Sequence, residues 1–401
     1  METVVRGCLT LCFILVAIET RFGYISPERN PIRRTKLLAH RISATSSGIN
    51  RILLVRTDRL GDVVLTLPML PPLRSYFPDA HIALLLNRYT GEIVKGNPYV
   101  NELLWYDEAG HPVPFLEMLH LIRSRHFDAA IVVHPTPRLA WLVFLARIPL
   151  RIGSGYRSYS FLFNRRVYEH RKDARRHEVE YNLRLLKELE CPTQGRPEFH
   201  IDIGPEDQLV AEKLIEPLNW SSGEELVILH PGSGGSAREW PSENFAALAS
   251  KLITERTVKI LITGVKGDEE KARKILDATR NSSLALVGML GLKELAALVR
   301  LSSLLVSNST GPIHIAAAVG TPVVGLYPQI TPMSAARWGP YTENKRVLTP
   351  IKPIDCRECD PKRGDPCACM ASITVEEVYN ATAELLSRAG AVRKGVAAHE
   401  R

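Results

Sequence analysis

The stretch Leu304–Val324, LLVSNSTGPIHIAAAVGTPVV, leaves few folds open to this chain. Leu304–Ser307 is a short apolar run with the composition of a buried strand. Ser309, Thr310 and Gly311 form a small polar turn. Pro312 follows where the first helical position falls, which suits its fixed φ and missing N–H. The pattern predicts a helix over Ile313–Val319, a left-handed stop at Gly320 and a strand over Pro322–Leu326. Such a strand–turn–helix–strand unit opens a helix N-terminus at the end of a parallel strand, where N–H groups and the helix dipole favour an anion. His314, in the first turn, could add a donor toward that anion or be a hydrogen-bonded structural histidine.

The rest of the chain repeats this alternation, and 401 residues suffice for two α/β domains with their own cores. Strands are expected at Arg51–Arg56, His81–Leu86, Leu103–Tyr106 and Phe127–Val133, with helices between them. After a polar break at Ser221–Glu225 the pattern restarts with strands at Leu226–Leu229, Val258–Thr263 and Leu284–Val287. This gives an α/β fold with parallel doubly wound sheets. The expected divisions are 1–50, 51–222, 223–390 and a tail at 391–401. A last helix over Val375–Ser387 is expected to cross back onto the first domain. Residues 1–50 do not resemble the rest. Cys8–Ile18 is too short an apolar run to span a bilayer comfortably. The segment reads as a weak membrane-contacting leader or as sequence upstream of a later start, and the clean first strand at Arg51 favours the second.

The net charge of +8 is uneven. Residues 1–50 carry +4 and Arg151–His177 carries +6, so the remainder is near neutral. The second of these runs is interleaved with Tyr156, Tyr159, Phe161 and Phe163. It reads either as a solvated basic loop or as a surface for an anionic partner such as a phosphorylated lipid or a bilayer. No motif supports nucleic-acid binding. Cys356, Cys359, Cys367 and Cys369 crowd into one stretch that could hold zinc or remain reduced thiols, and their spacing matches no standard site.

Two loops carry candidate chemistry. In His230–Pro241 (HPGSGGSAREWP), Gly232, Gly234 and Gly235 permit close approach of backbone to a phosphate, while Ser233 and Ser236 offer hydroxyls. Arg238 brings a planar, permanent charge suited to a diphosphate. The spacing is neither GxxxxGK[ST] nor GxGxxG. With Thr310–His314 in the same domain, this loop describes a pocket that grips one diphosphate from two sides. In Thr57–Asp62 (TDRLGD), Asp62 follows Gly61 at the carboxyl end of the first strand. Its carboxylate could take a proton from a hydroxyl, or cap the next helix. Ligands of doubly wound sheets sit outside the carboxyl ends of strands, so Asp62, His134 and Arg138 are expected on one rim.

Taken together, VRTDRLGDVVLTLP (55–68), RHEVEYN (176–182), HPGSGGSAREWP (230–241), SNSTGPIHIAAAVGTPVVGLYP (307–328) and CMASITVEEV (369–378) resemble glycosyltransferase family 9, which includes the lipopolysaccharide heptosyltransferases. The resemblance runs from about Arg51 to Ser387. It implies a GT-B architecture, two Rossmann-like domains facing across a cleft, with inverting, metal-independent chemistry and no cofactor. It implies Asp62 as the base that activates the acceptor hydroxyl. Ser233, Gly234, Arg238, Thr310, Gly311 and His314 match donor diphosphate contacts, with Arg238 standing where heptosyltransferases often carry Lys. Glu269 or Glu270 resembles the group that meets the donor ribose. The acceptor is expected against Arg59, His134 and Arg138.

The implied partners are an ADP-linked sugar, most closely ADP-heptose, and an acidic or phosphorylated glycolipid of the lipopolysaccharide core. The implied place is the cytoplasmic face of the inner membrane, peripherally. One departure bears on the donor: several heptosyltransferases have Asp-Thr-Gly where this chain has Ser309-Thr310-Gly311, so another nucleotide sugar would fit the same grip. A sugar-nucleotide epimerase on this scaffold, or a nucleotide-sugar-binding protein without turnover, are the competing readings.

Overall fold

The computed structural model describes residues 48–351 and 367–399, except 222, 280 and 281. Residues 1–47, with Cys8 and Cys12, and also Cys356 and Cys359 lie outside the described residues. Of the segment set apart as 1–50, Ile49 is buried in the core and Asn50 N donates to Asp128 Oδ2 at 2.8 Å. The first domain holds a parallel sheet of β1 (Arg51–Val55), β2 (His81–Leu86), β3 (Glu102–Trp105), β4 (Ala129–Val132), β5 (Leu150–Ser154) and β6 (Arg165–Val167), in the order β3-β2-β1-β4-β5-β6. The second holds β7 (Glu225–His230), β8 (Val258–Gly264), β9 (Ser283–Val287), β10 (Leu304–Asn308), β11 (Val323–Leu326) and β12 (Lys345–Leu348), in the order β9-β8-β7-β10-β11-β12. Both sheets therefore reverse direction between their first and fourth strands, the switch point where such sheets bind ligands.

The strands are nearly continuous apolar runs because helices cover both faces. In the first domain these are α1 (Leu60–Val64), α2 (Leu70–Tyr76), α3 (Phe115–Ser124), α4 (Pro137–Leu145) and α5 (Glu178–Arg184). After them come α6 (Pro205–Ile215), α7 (Ser242–Glu255), α8 (Glu269–Thr279), α9 (Leu292–Leu301), α10 (Gly311–Val319) and α11 (Val375–His399). Alternate strand residues feed different layers. Leu53 and Val55 pack with Met118, Leu139 and Val143 on the outer face of the first sheet. Ile52 and Leu54 face inward into a core continuous with Leu226, Ile228 and Ile313 of the second domain. Val227, Leu229, Trp240, Phe245 and Leu386 fill the remaining layer.

Two boundaries and one packing partner differ from the sequence reading. Helix α6, expected inside 51–222, packs on α9 of the second domain, and its Ala211 and Ile215 are buried there. Polar breaks mark loops, and the change of core occurs before this helix rather than after it. Helix α11 does not return to the first sheet among the described residues. Its Val378, Ala381, Leu385 and Leu386 pack with α7 and the second sheet, completing that layer around Trp240. It also continues past Ser387 to His399, because Ala, Arg and Lys favour helix and Gly390 and Gly395 cost only about 1 kcal/mol each. No helix among the described residues is long and apolar enough to cross a membrane.

Candidate functional site

The loops at the two switch points face one another. In the second sheet β7 and β10 run side by side, His230 opposite Ser307, so the loops that leave them are neighbours. Buried Asn308 ties them together: its Oδ1 accepts from Trp240 N at 2.9 Å and its Nδ2 donates to Pro231 O at 2.7 Å. Ser236 Oγ reaches Thr310 Oγ1 at 3.2 Å. The two anion loops of the sequence reading are thus one wall. Thr310 is the N-cap of α10, Gly311 and Pro312 start the helix, and Gly320 ends it with φ +84°.

Opposite that wall stands α1, which begins the first domain's switch-point loop. Arg59 is its N-cap, and Asp62 lies in its first turn rather than in the preceding loop. Gly61 and His314 approach so closely that a Cβ at 61 would lie 2.6 Å from His314 Cδ2, and one at Gly311 would lie 2.8 Å from Leu60 Cδ2. Between the walls is a cavity of about 420 Å³ lined by Arg59, Gly61, Asp62, Ser236, Thr310 and His314, with Met333 and Trp338 also along its side. A second hollow of about 360 Å³ continues from it past Ser233, Gly234, Thr263, Val265 and Leu292.

Asp62 is embedded in a charge network. Arg56, at the end of β1 and buried, donates through Nη2 to Asp62 Oδ1 and through Nε to Asp58 Oδ1 at 2.7 Å. Asp58 Oδ2 meets His134 Nδ1 at 3.0 Å. Behind Arg56 lies Glu178, 1% exposed, 3.6 Å from Arg56 Nη1. Glu178 also binds Arg171 and accepts from Arg337 Nε of the second domain at 2.9 Å. Asn182 accepts from Arg56 and Arg171 and donates to Leu65 O at the end of α1. Burial, opposed by Arg56 but supported by Asp58 and Glu178, pushes the Asp62 carboxyl above the usual range. Asp58, despite its own desolvation, is held below that range by Arg56 and His134.

On the other wall, burial lowers His314 to about 3, with His177 adding to the shift, so its imidazole is neutral at pH 7. His314 Nδ1 is buried with no hydrogen-bond partner among the described residues. The ring lines the cavity beside a helix N-terminus in its neutral form, so a contact it makes with an anion there is a neutral hydrogen bond and not an ion pair.

Not every expected residue takes the place foreseen for it. Ser233 lies in the second hollow, but its hydroxyl bonds Ala237 O at 3.1 Å and Glu239 Oε1 at 2.8 Å, which fixes the loop. Gly232 packs against buried Asp268, whose Oδ2 would lie 2.0 Å from an added Cβ. Gly234 and Gly235 carry the left-handed turn, with φ +55° and +74°. Arg238 follows them, half-buried and outside the lining of both hollows. Glu269 Oε2 accepts from Gly267 N at 2.8 Å, Glu270 is 74% exposed beside Lys274, and neither lines a hollow. Arg138 is not on the rim: its guanidinium stacks over Tyr106 and Phe115, 5.5 and 5.6 Å from the ring centroids, and bonds Val113 O. Its place in the first turn of α4 turns it toward these rings. His134 does reach the rim, through Asp58.

Arg56, Glu178, Asn182 and Arg337 were not singled out from the sequence. Glu178 and Asn182 fall in the quoted RHEVEYN motif, which was the available signal. Of the cysteines, Cys367 and Cys369 are buried, their Sγ atoms 3.1 Å apart. No cluster of three or more metal-ligating side chains occurs among the described residues.

Residues 116–365 match the model of glycosyltransferase family 9 (heptosyltransferase). The chain belongs to this family. It is therefore a glycosyltransferase, and its paired sheets are the two halves of a GT-B fold. Similar proteins include lipopolysaccharide heptosyltransferase 2 of Salmonella typhimurium, 27% identical over 327 residues that cover 74% of this chain and 87% of the relative. A putative glycosyltransferase of Haemophilus influenzae is 25% identical over 303 residues, covering 74% and 87%. Among solved structures, the family 9 glycosyl transferase from Veillonella parvula has 25% identity and a TM-score of 0.75, covering 84% of this chain and 98% of its own. The E. coli ADP-heptose lipopolysaccharide heptosyltransferase II, at 23% identity and TM-score 0.69 over 84% and 99%, shares the fold.

Proposed function

We propose that this family 9 enzyme transfers heptose from ADP-heptose to an acidic or phosphorylated glycolipid of the lipopolysaccharide core. The reading includes inversion at the anomeric carbon, no metal ion, and work at the cytoplasmic face of the inner membrane. The single observation that carries it is the meeting of Asp62 and the Thr310–His314 helix start across one cavity. A donor diphosphate against Thr310, Gly311 and His314 leaves its sugar facing the first domain. The adenosine then extends into the second hollow, between Val265 and Leu292. An acceptor hydroxyl beside Asp62 attacks the anomeric carbon, its proton passes to the Asp62 carboxylate, and the bond to the diphosphate breaks. The charge that grows on the leaving diphosphate falls on the N–H groups and dipole of α10 and on His314. Raised basicity at Asp62 serves proton abstraction, since a carboxylate held too low would not compete for the hydroxyl proton.

The relatives' names supply the choice of heptose and of lipopolysaccharide. Ser309, standing where an acidic residue is common, leaves the donor open to direct test. Thermal-shift measurements with ADP, ADP-heptose, UDP-glucose and UDP-N-acetylglucosamine provide it. At about 100-fold excess over Kd a bound donor stabilises by roughly 2.7 kcal/mol. ADP and ADP-heptose are expected to raise the melting temperature. A response to UDP-sugars alone would overturn the donor assignment.

A further inference from the structure

We propose that Arg337 and Glu178 are positioning residues through which the second domain sets the charge state of Asp62. The arrangement is a balanced set of six buried or half-buried ionic groups. Three carboxylates, Asp58, Asp62 and Glu178, meet three guanidinium groups, Arg56, Arg171 and Arg337. Five of the six belong to the first domain. Arg337 alone comes from the second, on the helical turn Ala335–Trp338. Without it, the first domain's rim holds three carboxylates against two arginines.

The geometry shows how the imbalance would reach Asp62. Glu178 spends one oxygen on Arg171 and the other on Arg337, and it stands 3.6 Å from Arg56. Arg56 is thereby left to Asp58 and Asp62. If Arg337 leaves, the freed Glu178 oxygen competes for Arg56, and Asp62 loses part of its counter-charge. Asp62 opens on the first cavity and Asp58 on the second hollow. Asp58 keeps His134 at 3.0 Å as a further partner, whereas Arg56 is the cation paired with Asp62 among the described residues. Asp62 is therefore the one placed to take up the missing proton.

The segment that carries Arg337 is itself tied to both the cleft and the first domain. Its neighbours Met333 and Trp338 line the cavity. Gly339 O receives a hydrogen bond from His177 Nε2 at 2.7 Å, and Tyr341 packs on the His177 ring at 4.7 Å between centroids. A ligand that orders this segment would therefore also seat Arg337 on Glu178. The other ionisable groups facing the network are Arg59 on α1, His134 through Asp58, His177 beside Glu178, and the neutral His314. Of these, His177 also feels the Glu178 charge and responds to its substitution.

The inference rests on the Asp62-base reading only for its effect on rate. Its test is therefore made on Asp62 directly. The full chain, labelled with 13C at aspartate Cγ, is titrated by NMR, and the Asp62 signal is assigned by its loss in Asp62→Asn. Arg337→Gln is expected to raise the Asp62 midpoint by about one pH unit, and Arg337→Lys to restore most of it. Glu178→Gln, which removes a negative charge instead, is expected to lower the midpoint. Opposite signs from two neighbouring sites are not the signature of a loosened fold, and recovery in Arg337→Lys supplies the same control if Glu178→Gln fails to fold. Unmoved midpoints, or a shift of the same sign in both, would overturn the proposal. In the same variants the acid limb of kcat should follow the Asp62 midpoint. A limb that stays put while the midpoint moves refutes the base reading and leaves the charge coupling standing.

Discussion

Gly61 of the first domain lies against the imidazole of His314 in the second, too close for any larger residue: an added Cβ would stand 2.6 Å from His314 Cδ2. Gly61 lines the cavity and is also a point where the two domains touch, and this has a direct consequence. Gly61→Ala must push α1 and α10 apart or displace the His314 ring, an overpacking that costs about 1–3 kcal/mol. With His314 in the proposed diphosphate wall, ADP affinity is expected to fall by roughly tenfold, which isothermal titration will read. Wild-type affinity in Gly61→Ala would mean that the wall tolerates the displacement.

Glu178 is expected to be the most sensitive surface-inaccessible charge. Replacing it by Leu leaves Arg56, Arg171 and Arg337 without their shared carboxylate. Breaking a buried ion network in this way costs about 3–5 kcal/mol. Urea denaturation of Glu178→Leu should show that loss. A loss under about 1 kcal/mol would show that the arginines find water or other partners.

Two buried histidines, His230 and His314, and the half-buried His177 predict how stability varies with pH. Burial lowers His177 and His230 to about 4 and His314 to about 3. Each folded value is depressed below the ordinary 6.5, so the unfolded chain binds the extra protons. Stability is then complete above about pH 6.5 and falls as the pH drops toward 4, by about 1.4 kcal/mol per unit for each histidine. Urea midpoints at pH 7, 6 and 5 check this. His314→Asn should flatten the slope by about one proton, and a wild-type profile level from pH 7 to 5 would contradict the assignment.

Arg238→Ala tests the one expected diphosphate ligand that does not line a hollow. If Arg238 turns to the donor when the loop is occupied, ADP binding weakens, and Arg238→Lys is milder because charge persists while the two-pronged geometry is lost. Equal ADP affinity in Arg238→Ala would remove it from the site.

Much of the architecture was legible because it depends on local pattern. The runs RILLV, HIALLL and ELVILH are strands wherever helices can cover them, and the Thr310–Gly320 helix announced both its ends. That Asp62, Thr310, Gly311 and His314 share one cavity was legible because their positions follow from the chain's course at strand ends. What escaped were relations between distant segments. Glu178 reads as an ordinary helix-start acid until Arg56 and Arg337 close on it from 122 and 159 residues away in sequence. Arg138 illustrates the reverse: its place after a strand suggested the rim, but Tyr106 and Phe115 supply aromatic faces that capture it. Side-chain direction within a helix turn is set by such neighbours, and spacing does not reveal it.

The central claim is that Asp62 removes the acceptor's proton, and Asp62→Asn tests it most directly. The amide keeps the shape of the carboxylate and removes its basicity. Single-turnover transfer from ADP-heptose should fall by roughly 10²–10⁴, about 3–5 kcal/mol of transition-state stabilisation, while ADP-heptose affinity should hold, since the proposed donor contacts lie on the opposite wall. A helix-start role alone would instead lower stability by about 1 kcal/mol and leave the rate per folded molecule nearly unchanged. Near-normal single-turnover transfer by folded Asp62→Asn would contradict the account.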